Sequence, residues 1–462
     1  MQLKNAIAKF AVLRFMTGRL DVRSALGRYS LPEAGWMTDP EEIVAELDRV
    51  TGAVDALRSA GGAKPINAIL GELSHVKDIR RTASRLVGGE VPDDIELYEI
   101  KAFALSAATI RGLLPEAGVD FIYIPDLEPI VEILDPEGSR IPHFYVYDSY
   151  CADLAAVRKE MKPAEGTEKE RLFAESTAIE QRVREDLTKR LRPHGEALES
   201  ALSAVCDLDI LLAKAGQACE MGLCRPEISH DETSYKGLFN PEEAELLRRR
   251  GKEFQPVDID LPAGPTLITG ANMGGKTVVL RSAALAQLLC QFGFFVPVRR
   301  ATIAPVDEVV LLSEAHESGG GLSSFASEIT RLGELIGKVR GGERILALVD
   351  EPARTTNPTE GKALVAALLD FMAEHRVRSL VTSHFSGLEN EVRRLRVKGF
   401  TREDVNVTIG DIQDYMDYSL VADMAGDVPH EALRIARMLG MDEQVRRRAQ
   451  HYLDNEKSEI KE

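Results

Sequence analysis

Several things are missing from this chain of 462 residues, and each absence removes a class of protein. No apolar stretch approaches the length needed to span a bilayer, which argues against a helical membrane protein. The opening Met1-Gln2-Leu3-Lys4-Asn5-Ala6-Ile7 lacks the charged region, apolar core and small-residue cleavage site of a leader, so a cytoplasmic protein is expected. Cysteine is sparse: Cys151, Cys206, Cys219, Cys224 and Cys290 are odd in number and form no C-x2-C set. Cys219 and Cys224 look like half a metal site with no second pair, so buried free thiols in a reducing compartment are expected. No periodic repeat or low-complexity tract occurs, which removes repeat arrays.

Positive charge is also in deficit, with a formal net charge of −17. Proteins that live on nucleic acid usually show a basic face, because neutralising phosphates drives their affinity. Local clusters exist at Arg248-Arg249-Arg250, Arg299-Arg300, Arg393-Arg394 with Arg396 and Lys398, and Arg446-Arg447-Arg448. Each reads as a solvated helix face or helix end. The balance weighs against DNA binding without excluding it.

What is present is ordinary globular material, 44% hydrophobic and 28% charged, long enough for two or three domains. Residues 1–149 read as a mainly helical domain. Asp39-Pro40-Glu41-Glu42 is a helix start, with Ile43, Leu47, Val50 and Val54 at helical spacing behind it. A second helix is expected over 93–113, with Ile95, Leu97, Ile100, Phe103 and Leu105 as its apolar positions. Residues 121–124 and 144–147 are short strands or extended connectors. In the next region, 150–249, a helical hairpin over 150–192 turns at Pro163-Ala164-Glu165-Gly166. Ile179, Val183, Leu187 and Leu191 form its narrow stripe, and a buried helix follows from Leu198 to Leu223. Residues 250–425 alternate strands (265–269, 301–304, 309–312, 345–349, 378–382) with helices (276–292, 325–340, 360–375), which predicts a largely parallel sheet. The tail, 426–462, carries two short helices and a charged end.

Chemistry enters at 270–277. Gly270-Ala271-Asn272-Met273-Gly274-Gly275-Lys276-Thr277 is a complete G-x4-G-K-[ST] phosphate loop, placed after the apolar run 265–269 and before a helix. Backbone N–H groups of such a turn converge on phosphate, where the helix dipole also favours negative charge. Lys276 is expected to reach the β- and γ-phosphates and Thr277 to ligate Mg²⁺, making the chain an ATP binder. The apolar strand 345–349 ends in Asp350-Glu351: Asp350 is the metal-holding acid and Glu351 the group that orients or deprotonates water. His384, at the tip of Val381-Thr382-Ser383-His384-Phe385, can hydrogen-bond the γ-phosphate or the water. Gly319-Gly320-Gly321-Leu322-Ser323-Ser324 is either an anion-binding helix start or a flexible loop with a serine cap.

Together these segments resemble the ATPase domain of the MutS family, a branch of the ABC-type ATPases. Thr269 to Thr277 is similar to the family's TG-x-NMGGK-[ST], including Asn272 and Met273, which a generic phosphate loop does not require. Phe294-Phe295-Val296-Pro297, Ile303-Ala304-Pro305-Val306-Asp307, Ser323-Ser324-Phe325 with Glu328, the run Asp350 to Gly361, and Thr382-Ser383-His384-Phe385 resemble its further segments. The resemblance implies an α/β phosphate-loop (ABC-type) ATPase domain at 250–425, behind an N-terminal helical core and lever helices at 150–249. It implies ATP and Mg²⁺ held by Ala271, Gly274, Gly275, Lys276, Thr277 and Asp350, with Asn272, Glu351 and His384 in the chemistry. Ser323 would act in trans from a second subunit, and Phe254 would stack on adenine. The resemblance further implies a homodimer, or a heterodimer with a related subunit, tied by the helices near Glu431–Met441.

Departures accompany the likeness. There is no amino-terminal mismatch-reading domain or Phe-x-Glu element, the hairpin is short and not basic, and no nuclease-like domain follows. Pro352 and Pro358 stand in the loop after the two acids. Three functions follow as alternatives. One is a DNA-associated ATPase acting on mismatched or branched DNA. Another is an ATP-driven remodeller of a protein client, as in short MutS-like proteins that reactivate cobalamin-dependent aminomutases. The third is a nucleotide-locked structural protein.

Overall fold

The computed structural model describes residues 1–59, 61–270, 275–313, 324–385, 387–400, 412–423 and 431–459. Contacts divide the chain into two units, one of Met1–Asn5, Arg19–Gly35 and Asp48–Cys219, the other of Ala6–Gly18, Trp36–Leu47 and Glu220–Glu462. None of the described helices is long and apolar enough to cross a membrane.

The first unit is helical. Its helix Asp94–Ala117 opens on a capping box in which Asp93 and Glu96 satisfy each other's backbone N–H, and it stops at Gly118 with φ 71°. Leu97, Ile100, Phe103 and Ala104 are buried, whereas Ile95 faces water; the helix phase puts that one apolar residue off the stripe. Lys101 lies on the buried face, with its Nζ donating to Asp135 Oδ1 (2.9 Å), the His143 carbonyl (2.9 Å) and Tyr147 Oη (3.2 Å). Asp135 also accepts from Ser139 Oγ (2.9 Å) and the Arg140 N–H (2.6 Å), so one ion pair pins the whole 135–147 segment. Residues 121–124 and 144–147 pair with no strand among the described residues and are connectors.

The hairpin forms as the charge pattern predicts, with helices Ala152–Met161 and Gly166–Leu191 and the stripe Ile179, Val183, Leu187 and Leu191 buried. Gly195–Met221 follows as a largely buried helix. Inside it Asp209 accepts from the N–H groups of Arg23 (2.9 Å) and Ser24 (2.8 Å), and burial pushes its carboxyl up. The helix Pro40–Arg58 starts where expected, Asp39 Oδ1 accepting the Glu41 N–H at 3.0 Å, with Ile43, Leu47, Val50 and Val54 buried along it.

The second unit carries ten described strands: β1 (Glu227–Ile228), β2 (Ser234–Leu238), β3 (Val257–Asp260), β4 (Pro265–Thr269), β5 (Arg300–Ile303), β6 (Glu308–Leu312), β7 (Ile345–Val349), β8 (Arg378–Thr382), β9 (Arg393–Phe400) and β10 (Met416–Ala422). The large sheet runs β10-β9-β4-β8-β7-β6, parallel except for the antiparallel edge strand β10. β4 and β7 are buried along their whole length, which is why they read as unbroken apolar runs. Helices Ser324–Arg340 and Pro358–Glu374 supply Leu335, Val339, Val365 and Leu369 to a core shared with Leu267, Ala347 and Val381.

Two expectations change. β5 leaves the large sheet and joins a four-stranded one, ordered β1-β5-β2-β3. Two buried glutamines of helix Lys276–Gln291 bind the chain that follows it: Gln287 Nε2 donates to the Ala304 carbonyl (3.0 Å) and Gln291 Nε2 to that of Val306 (2.8 Å). The basic run at 393–398 is a strand rather than a helix face, with Leu395 and Val397 buried between partly exposed arginines. Its Lys398 pairs with Asp417 across the ladder at 2.7 Å.

Candidate nucleotide site at the strand ends

Parallel register places the chemistry-bearing residues side by side. Ile268 of β4 faces Thr382 of β8, and Val349 of β7 faces Val381, so the residues after these strands emerge at one edge. That carboxyl-terminal edge is where open α/β sheets bind ligands. Gly270 follows β4 with φ 127° and Gly275 caps the next helix with φ 71°, conformations that favour glycine. Ala271, Asn272, Met273 and Gly274, and likewise Ser323, lie outside the described residues.

Lys276 is buried at 4% exposure. Its Nζ reaches the Gly270 carbonyl at 2.6 Å and Glu351 Oε1 at 3.3 Å. Thr277 Oγ1 donates to Asp350 Oδ2 at 2.7 Å, so the two expected metal ligands are hydrogen-bonded to each other. Thr382 Oγ1 donates to the other oxygen, Oδ1, also at 2.7 Å, and accepts the Glu351 N–H at 2.8 Å. His384 lies two residues beyond, its ring 4.3 Å from that of Phe385. Its Nδ1 is buried with no hydrogen-bond partner among the described residues. A buried ring nitrogen at the same strand edge as the two acids is a candidate donor or acceptor for a polar ligand.

The loop after the acids is tightly constrained. Glu351 and Ala353 both have positive φ (45° and 59°), with Pro352 between them. Ala353 N–H donates to Glu328 Oε1 at 2.8 Å. A Cβ at Gly361 would come within 2.8 Å of the Phe385 ring and 2.9 Å of the Ala353 carbonyl, so glycine allows that packing. Pro358 is the first residue of helix Pro358–Glu374, behind Asn357 as its cap.

A second wall comes from β10. The segment before β3 holds Phe254, partly buried, and Gln255, whose amide binds Asp417 Oδ1 (2.9 Å), Ser419 Oγ (3.1 Å) and the Tyr418 N–H (3.0 Å). Tyr418 in turn covers the end of the phosphate loop: a Cβ on Gly275 would lie 3.1 Å from its ring. Burial pushes the Tyr418 hydroxyl up, while the hydrogen bond from Lys398 and those from Ser419 and Gln255 hold the Asp417 carboxyl well below the ordinary range. Thr382, Tyr418 and Gln255 received no role from the sequence. Tyr418 stands in an edge strand whose pattern is interrupted by a register shift between Asp417 and Leu420, and Gln255 carries no motif.

A parallel sheet with a glycine-bounded loop and buried lysine after one strand, and paired acids after another, defines a phosphate-loop α/β domain. Residues 266–456 match the family model for MutS domain V. That stretch of the chain is a MutS-type domain, and the relatives the chain resembles are MutS family proteins. It is similar to the protein called Endonuclease MutS2 of Caldanaerobacter subterraneus subsp. tengcongensis, 29% identical over 328 residues, covering 70% of this chain and 38% of that one. The Endonuclease MutS2 of Pelotomaculum thermopropionicum is 27% identical over 470 residues, 95% of this chain and 57% of its own. That of Thermus thermophilus is 31% identical over 273 residues, 59% and 34% respectively. The chain therefore spans roughly a third to somewhat over half of these relatives' length.

Proposed function

We propose that this chain binds ATP with Mg²⁺, hydrolyses it as a dimer, and works as a MutS-like, DNA-associated ATPase. The observation that carries the reading is the convergence of Lys276, Thr277, Asp350, Glu351 and the unpartnered His384 Nδ1 at one sheet edge. Hard oxygen donors such as the Thr277 hydroxyl and the Asp350 carboxylate suit Mg²⁺, which when bound neutralises charge on the phosphate oxygens. Lys276 holds the terminal phosphates, Glu351 orients and deprotonates the attacking water, and His384 donates to phosphate or water. Asn272 and, from a second copy, Ser323 complete the site by family likeness. Phe254 and Tyr418 enclose the base.

Dimerisation is supported by apolar side chains exposed at the C-terminal helices Glu431–Met438 and Glu443–Glu459: Met441 in the turn between them, and Val445 and Tyr452 seven residues apart on the second. DNA association is supported by the relatives, which carry the word endonuclease in their names. The test is ATP turnover by the whole chain with no DNA, duplex, mismatched duplex and junction, repeated across a salt series. Stimulation that fades with salt supports the reading. Absence of turnover under every condition removes it.

A second reading, an ATP-driven remodeller of a protein client, is favoured by where the charges go. Arg300 pairs with Glu227 (3.0 Å), Lys398 with Asp417 (2.7 Å) and Arg447 with Glu443 (2.5 Å), so these basic clusters are answered within the chain. The hairpin groove, about 540 Å³, carries four acids (Asp153, Glu160, Glu175 and Asp186) against two arginines (Arg182 and Arg190). Turnover indifferent to every DNA, with ATP-dependent recovery of one protein partner, would favour it.

A further inference from the structure

We infer that Thr382 is a positioning residue for both acids of the site: its single hydroxyl sets Asp350 for the metal and Glu351 for the attacking water. The inference rests on the Mg-ATP reading above and deepens it.

A hydroxyl has one proton to give and two lone pairs. Thr382 gives its proton to Asp350 Oδ1 (2.7 Å) and accepts the Glu351 N–H (2.8 Å). Asp350 is thus held by two hydroxyls, one on each oxygen, the second from Thr277. The two are not equivalent. Thr277 follows Lys276 in the phosphate loop, so its oxygen would be the one to turn to a bound cation. Among the described residues Asp350 would then keep the Thr382 hydroxyl to fix its rotamer. The Thr382 side chain is fully buried, where a hydroxyl without partners would be costly. Its polar atom is therefore there for its partners. The backbone argument points the same way. Glu351 sits at φ 45°, an uncommon conformation for a residue with a side chain, and its N–H finds its acceptor in Thr382. Because Thr382 ends β8, two residues before His384, one hydroxyl ties the metal ligand and the base to the strand that carries the histidine.

The test uses the full chain with Thr382→Val, which removes the hydroxyl at nearly constant shape, and Thr382→Ser, which keeps it. ATP binding is measured by calorimetry in EDTA and over a Mg²⁺ series, together with phosphate release. The valine variant should need about 10- to 100-fold more Mg²⁺ for half-saturation and lose a similar factor in kcat, the range for groups that orient metal ligands. Its binding of ATP in EDTA should be unchanged, and the serine variant should match wild type. A purely structural role would not move the Mg²⁺ midpoint. If wild type binds ATP in a Mg²⁺-dependent way and the valine variant has the same midpoint, the inference is overturned and the ATPase reading stands. If wild type binds no Mg-ATP, both are lost. Should the valine variant fail to fold, Thr382→Ala against Thr382→Ser makes the same comparison, and equal midpoints overturn the inference.

Discussion

Lys276 Nζ lies 3.3 Å from Glu351 Oε1, so the cation poised for phosphate is bonded to the acid poised for water. Both side chains are largely shielded, at 3% and 14% exposure, which strengthens their attraction relative to a surface pair. On the proposed reading, phosphate and Glu351 would compete for one lysine, and nucleotide binding would release the acid. Glu351→Gln removes the competitor. It should tighten ATP binding about fivefold, the equivalent of a modest ion pair of roughly 1 kcal/mol. It should also lower phosphate release by about 10²- to 10⁴-fold, the usual contribution of a general base. Calorimetry and a phosphate assay separate the two effects, and weaker ATP binding by this variant would refute the competition.

Glu328 reaches the same acid indirectly. Its carboxylate accepts the Ala353 N–H at 2.8 Å, bracing a turn whose residues 351 and 353 both have positive φ. Losing a charge-assisted bond of this kind costs about 1.5–3 kcal/mol. Glu328→Ala should lower kcat by about tenfold or more while leaving KM for ATP unchanged, and Glu328→Gln, which keeps the acceptor oxygen, should restore most of it. Equal kcat for the alanine and glutamine variants would show that the bond does not set the turn.

On the proposed reading Tyr418 would serve the base side of the site, together with Phe254. Its ring closes on Gly275, and its N–H is fixed by Gln255, next to Phe254. Stacking on an aromatic ring contributes about 1–3 kcal/mol per base. Tyr418→Ala should therefore weaken ATP binding by about 5- to 100-fold and leave inorganic tripolyphosphate binding unchanged. Equal losses for both ligands would place Tyr418 at the phosphate loop instead.

The legible part of this molecule was the part with strong local chemistry. The phosphate loop, the acids after an all-apolar strand and the capped helix starts each announce themselves within ten residues, and β4, β7 and β8 stand within a residue of expectation. What was hidden depends on distant partners. β5 has the same local pattern as β6, and its departure to another sheet is tied to Gln287 and Gln291, which read as ordinary helix residues. β9 was masked by its arginines, whose alternation with Leu395 and Val397 is the strand signal. Thr382 looked like one more strand residue, because a hydroxyl's meaning lies in what it touches across the sheet.

The Lys101–Asp135 pair is buried in the first unit and carries a pH signature. Burial acts to raise the Asp135 carboxyl, but the hydrogen bonds from Lys101, the Arg140 N–H and Ser139 outweigh it, so the group sits below its ordinary value. A carboxyl depressed in the folded state contributes stability above its unfolded pKa of about 4, and that contribution fades as pH falls through the folded value. Lys101→Met leaves Asp135 buried without its cation, a loss of about 3–5 kcal/mol at neutral pH. In that variant burial dominates and raises the carboxyl, so protonation now relieves the penalty as pH falls. The stability gap between wild type and Lys101→Met should thus be widest near neutrality and narrow on acidification. Urea unfolding at neutral pH and near pH 4.5 measures the gap directly, and a gap that stays constant or widens in acid would mean that Asp135 is not the charge the lysine answers.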